Sequence, residues 1–210
     1  RPFLVKEQKL LLMAQESEDP KELEAAFSQI LVDCVEEISE PDKMPMFDVE
    51  YVFLKIRGKS AGEVVNLRIL CEDDNETYAE VEVNLEDVNV QMTKDHTNVV
   101  ELNNDVKLFM KYPCLGDLQG YDEMGEIKSL FAMVRRCVHE IHDGEQIYHR
   151  IDMQDNELDD FIDSMSTQNL ESLGKFFETM PKLKHVVEVE NPKTKVLNEF
   201  TIEGLQNFFE

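Results

Sequence analysis

Positive charge is what this chain lacks most: 21 Lys and Arg stand against 45 Asp and Glu, for a formal net charge of -24 over 210 residues. A charge of that sign repels duplex nucleic acid and anionic membrane surfaces, so no nucleic acid and no membrane is expected as a partner. Long apolar runs are missing too. No stretch approaches the roughly 20 residues of a membrane-spanning helix, and no basic start followed by an apolar core marks a signal peptide, which leads us to expect a cytosolic protein. Cysteine is sparse: Cys34, Cys71, Cys114 and Cys137 lie far apart with no CxxC pair, and read as reduced, mostly buried small hydrophobes. Catalytic signatures are absent as well. There is no GxSxG, no glycine-rich phosphate loop and no Ser, His and acid set at a recognisable spacing, so the expectation is no enzyme and no cofactor.

What is present suffices to fold. Hydrophobic residues make up 42% of the chain and include 12 Phe, enough apolar area to offset chain entropy. The acids are spread along every segment and alternate with apolar residues, the pattern of solvated faces on folded elements. One reading of the charge is solubility; the other is a basic partner, or imitation of nucleic-acid charge. We expect an α+β fold in a single domain over residues 1–210: a helical part at 1–60, a β-rich part at 63–112, a helical part at 122–183, and a β-hairpin with a terminal helical turn at 184–210. Because Arg1 is not an initiator residue, at least a start codon is expected upstream of it.

The spacing predicts a short, largely buried helix from Leu4 to about Gln15, with Val5 and Leu12 on its apolar face. Asp19-Pro20-Lys21-Glu22 is a strong helix start, with an N-cap Asp and Pro at the first helical position. The stripe Leu23, Ala26, Phe27, Ile30, Leu31, Cys34, Val35 and Ile38 then carries a helix to the prolines Pro41 and Pro45. Phe47 to Arg57 fits strand or helix, and Gly58 after it favours helix, with Gly58 and Gly62 bracketing a linker. From Glu63 to Tyr112 the period is two. Val65, Leu67 and Ile69 pair with Ala79, Val81 and Val83 as a hairpin across Cys71 to Glu76, and Val99 to Leu102 pairs with Val106 to Met110. Ile127, Leu130, Phe131, Val134, Cys137, Val138 and Ile141 predict a helix ending near Gly144, followed by helices at Asn156 to Met165 and Gln168 to Met180. A last hairpin joins Lys184 to Glu190 with Val196 to Ile202, and Gly204 to Phe209 reads as a helical turn. The two outer hairpins are weakly alike, Val83 to Val88 matching Phe200 to Leu205.

Candidate chemistry is thin. His139, Glu140, His142 and Asp143, with Glu145 and His149 nearby, are the one cluster of metal-ligand types, but the histidines are three apart where an HExxH zinc helix needs four. A polar face at a helix C-terminus explains them, so no metal is expected. Asp152 to Asp163 departs from a calcium loop at its sixth and twelfth positions, Glu157 and Asp163, and capping by Asp155 accounts for it. Binding is the remaining class. Phe3 and Leu4 at one end and Leu205, Phe208 and Phe209 at the other are the candidate partner-binding residues, each of which could equally sit in the core.

Several blocks carry a resemblance: Arg1 to Ala14, Phe47 to Ser60, Met110-Lys111-Tyr112-Pro113, Phe176 to His185 and Gly204 to Phe209. In their joint order the chain resembles the baseplate hub assembly proteins, hub subunits or chaperones, of T-even-type contractile-tailed bacteriophages. That resemblance implies a short leader before Arg1 and a non-enzymatic role in building the baseplate hub. Its partners would be other phage hub or tail proteins, met in the host cytoplasm during assembly or in the virion tail baseplate. The rivals are an acidic DNA mimic that inhibits a host nuclease or DNA-binding protein, and a metal-dependent hydrolase on His139, His142 and Asp143.

Overall fold

A computed structural model describes residues 1–17, 19–118 and 126–204. In chain order these form α1 (Val5–Ser17), α2 (Pro20–Cys34), α3 (Met46–Ala61), β1 (Val64–Leu70), β2 (Tyr78–Asn84), β3 (Asn89–Gln91), β4 (Val99–Glu101) and β5 (Val106–Met110). Then follow α4 (Glu126–Cys137), β6 (Val138–Asp143), β7 (Gln146–His149), α5 (Asp155–Asp163), α6 (Thr167–Thr179), β8 (Lys182–Glu190) and β9 (Leu197–Glu203). Every strand pairing among the described residues is antiparallel, so the fold is α+β. Two compact units result, Arg1–Gln91 with Pro181–Glu210, and Met92–Met180.

In the first unit, Asp19 caps α2 by accepting from the Lys21 amide at 2.9 Å. The helix stops at Cys34, where Val35 turns extended (φ -128, ψ 110), short of the predicted Ile38. Helix α3 outlasts its prediction: Gly58 is buried within it against Leu85, and Gly62, at φ 109, ends it. Phe53 packs edge-on to Phe27, ring centroids 4.6 Å apart, and with Ile30, Leu31 and Leu54 makes the best-buried part of the core. The predicted hairpin forms as β1 and β2, from Val64 opposite Asn84 to Leu70 opposite Tyr78. The last hairpin, β8 and β9, gains a third strand that local pattern could not announce, since β3 pairs across Val90 and Leu183.

The two hairpins are built alike, in a register two residues from the one suggested by sequence. Strands β2 and β9 bury the same positions in the same order, so that Val83 corresponds to Ile202. Each loop turns on a residue with positive φ, Asn75 (52) and Lys195 (64), and each of those amides bonds back four residues, to Cys71 O and Asn191 O at 2.9 Å. The tips meet. Asn191, fully buried, donates to Asp73 Oδ1 at 2.8 Å, the Asp73 amide donates to Asn198 Oδ1 at 3.2 Å, and Thr194 bonds Asp73 Oδ2. On the other side of the unit the Lys55 ammonium donates to the carbonyls of Leu85, Glu86 and Val88 at 2.9, 2.9 and 3.2 Å, closing the turn after β2.

The second unit is a four-stranded sheet, β4-β5-β6-β7, with α4, α5 and α6. Val100, Leu108 and Ile141 of the sheet pack with Val134, Leu158, Ile162, Leu173 and Phe176 of the helices. The long helix predicted to end near Gly144 is corrected here: α4 stops at Cys137, and the chain runs straight into β6. Phe109 pairs with Glu140 but Met110 pairs with Val138, so His139 is the extra residue of a β-bulge. The bulge lets Val138 and Ile141, three residues apart, both face the core, which reproduces helical spacing inside a strand.

Candidate functional site

The predicted site residues part company in the structure. Phe3 is half-buried, its ring 5.4 Å from that of Phe53 and its amide donating to Ser60 Oγ at 2.6 Å. Leu4 is 55% exposed. Leu205, Phe208 and Phe209 lie outside the described residues.

Helix α1 presents the opposite face to that expected. Val5 and Leu12, read as the buried stripe, are 81% and 52% exposed, as is Met13 at 56%. Among its described side chains Glu7 and Ala14 are buried, with Leu10 and Leu11 half-buried beside them. A carboxylate can be buried there because its oxygens are met: Arg1 and Lys6 pair with it at 2.6 and 3.2 Å, and the Leu4 amide donates to it at 2.8 Å, as in half of a capping box. The Arg1 guanidinium, with these other donors, holds the Glu7 carboxyl down at about 2. Leu4, Val5, Leu12 and Met13 are thereby left as an apolar surface on the outside of the helix.

The histidine cluster does assemble, though on a sheet and not on a helix. Glu140 is its centre: His142 Nε2 is 2.9 Å from Oε2, and His149 Nδ1 and His139 Nε2 lie 3.2 and 3.7 Å from Oε1. His149 arrives as the cross-strand partner of Glu140, and His142 is on the same face two residues along. The His142 bond, first among its surroundings, lowers the Glu140 pKa. Among the described residues no group of three or more His, Cys, Asp or Glu is arranged to hold a metal ion. Asp155 opens α5 but does not cap it; its carboxylate pairs with Arg150, while Glu157 Oε2 accepts from the Gln154 amide at 2.9 Å.

A further histidine went unnoticed in the sequence. His96 Nδ1 is 2.9 Å from Thr179 Oγ1 and Nε2 is 3.0 Å from the Tyr112 hydroxyl. The Thr179 hydroxyl proton goes to Lys175 O at 2.7 Å, so its oxygen accepts from Nδ1–H, and Tyr112 donates to Nε2. Both ring nitrogens are thus committed, and burial lowers the His96 pKa, which favours the neutral ring that this hydrogen-bond pattern requires. All four cysteines are free thiols, Cys34, Cys71 and Cys137 buried and Cys114 half-buried. No helix among the described residues is long and apolar enough to cross a membrane.

Among the described residues the geometry offers an apolar helix face, two stitched hairpins and an open sheet edge. A family model described as T4 bacteriophage base plate protein matches residues 1–210. No curated protein and no solved structure matches the chain.

Proposed function

The chain belongs to the T4 bacteriophage base plate protein family, and from that premise we propose that it is a non-enzymatic assembly factor for the central hub of the contractile-tail base plate. It acts by binding other hub or tail proteins, in the infected cell and in the growing base plate. The observation that carries this reading is the apolar exterior of α1, Leu4, Val5, Leu12 and Met13, on a chain of net charge -24. An exposed apolar strip on a single helix is a docking feature, and strong like charge discourages self-association, so the surface is kept for a different partner. The contact residues we assign are Leu4, Val5, Leu12 and Met13 together with Phe3, Leu205, Phe208 and Phe209, Phe3 acting through its packing on Phe53 to fix the direction in which the chain enters α1.

The experiment is affinity purification of the tagged protein from infected cells, followed by mass spectrometry. Base plate or tail proteins at near-stoichiometric recovery support the reading and name the partner. A host nuclease or DNA-binding protein in their place, displaced by salt, would make the acidic surface a DNA mimic and defeat it.

A further inference from the structure

We propose that the open edge of β7 is a docking strand for an extended, basic segment of another base plate protein. The inference rests on the assembly reading above and adds the surface and the chemistry of its partner. Strand β7 ends its sheet, and all four of its residues, Gln146 to His149, are exposed. It is joined to β6 by the two-residue turn Gly144-Glu145, with Gly144 at φ 59 in the first central position. In such a hairpin the pair flanking the turn, Asp143 and Gln146, exchanges both hydrogen bonds, and the next pair, His142 and Ile147, exchanges none. The N–H and C=O groups of Ile147 and His149 therefore face away from β6.

Two other sheet edges are covered or charged. At β4, the opposite edge of the same sheet, Asn169 of α6 donates to Leu102 O at 2.8 Å just beyond the strand. At β9 the outer strand carries Glu199 and Glu203. Strand β7 carries neither Lys nor Pro nor an acid, and shortness is its one protection. It offers instead an apolar side chain on each face, Ile147 at 53% and Tyr148 at 43% exposure, with Ile151 at 92% just beyond. Such alternate anchors are what an added strand uses for specificity.

Charge chooses the occupant. Asp143 and Glu145 at the turn and Asp152 past the strand are exposed and make no ion pair among the described residues, and Asp105 joins them where its carbonyl accepts from the Gly144 amide at 2.9 Å. A second copy of this chain would set those acids against their own images. A segment alternating Lys or Arg with apolar residues pairs with both the rim and the anchors.

The test uses the full chain and a synthetic octapeptide alternating Lys with Val, with an octapeptide alternating Glu with Val beside it. The Lys peptide is expected to slow amide hydrogen exchange at Ile147 and His149, and the Glu peptide to do nothing. Ile147→Pro removes one outward N–H without touching the ladder, and should weaken the Lys peptide about fivefold to tenfold, the equivalent of one lost backbone hydrogen bond. Equal binding by Ile147→Pro, protection confined to other residues, or equal binding of the Glu peptide overturns the proposal. Should the proline variant not fold, the exchange measurement on the parent chain decides alone. If base plate proteins copurify but the peptide leaves β7 unprotected, the edge proposal falls and the assembly reading stands; if none copurify, the assembly reading falls.

Discussion

Replacing Asn191 by Ala should cost more stability than any surface position on the hairpins. Its side chain is fully buried and makes three hydrogen bonds: it donates to Asp73 Oδ1 at 2.8 Å and accepts from the amides of Lys193 at 2.8 Å and Thr194 at 3.2 Å. The bond to the carboxylate is worth about 1.5–3 kcal/mol and each amide bond about 0.5–1.5 kcal/mol. Asp73, Lys193 and Thr194 are all exposed, so water recovers part of each contribution. The net loss is then about 2–4 kcal/mol, or roughly 4–16 °C in Tm for a chain of this size. Because the bond joins two hairpins far apart in sequence, Asn191→Ala and Asp73→Ala should be non-additive, with a coupling of about 1–2 kcal/mol. Urea unfolding followed by circular dichroism measures both. A loss below about 0.5 kcal/mol for Asn191→Ala, or additive single effects, would refute the idea that the tips hold each other.

Three further outcomes are expected. Glu7 is held below its unfolded value, so it adds stability above about pH 4.5 that disappears as pH falls toward 2; Glu7→Gln should flatten that part of the urea-midpoint profile. Burial pushes the Cys137 thiol up to about 12, so it should resist alkylation at pH 8 in the folded protein, and its contribution to stability should be lost as pH rises from about 9 toward 12. Lys55→Met removes a cation shared by three carbonyls and should cost about 1–3 kcal/mol in the same unfolding assay, while Lys55→Arg should recover part of it.

Sequence period foretold the elements that are locally periodic and misread those where another constraint overrides the period. Helices α2 and α3 and the hairpins β1-β2, β4-β5 and β8-β9 announce themselves by stripes, alternation and turn residues, and they are present. Strands β6 and β7 do not, because the bulge at His139 places Val138 and Ile141 on one side at a spacing proper to a helix. Strand β3 is three residues whose partner β8 lies far along the chain, and no local rule reports such a pairing. At α1 the apolar spacing points to Val5 and Leu12 as the core face, whereas the structure turns Glu7 inward, its carboxylate met by Arg1, Lys6 and the Leu4 amide. That reversal also exposes the surface we propose for binding: Leu4 is legible as a candidate from its place at the chain start, whereas Val5, Leu12 and Met13 become candidates only once the burial of Glu7 is known. The Glu140 cluster was legible as composition, but its geometry depends on β7 bringing His149 opposite.

The central claim is that the outer face of α1 docks the protein into the base plate, and the most direct measurement is electron microscopy of tails made by phage whose copy carries Leu4→Asp and Leu12→Asp. Both side chains are more than half exposed, so the variant should fold and accumulate. Tails without completed base plates are expected beside abundant soluble variant. Normal base plates at normal yield would contradict it.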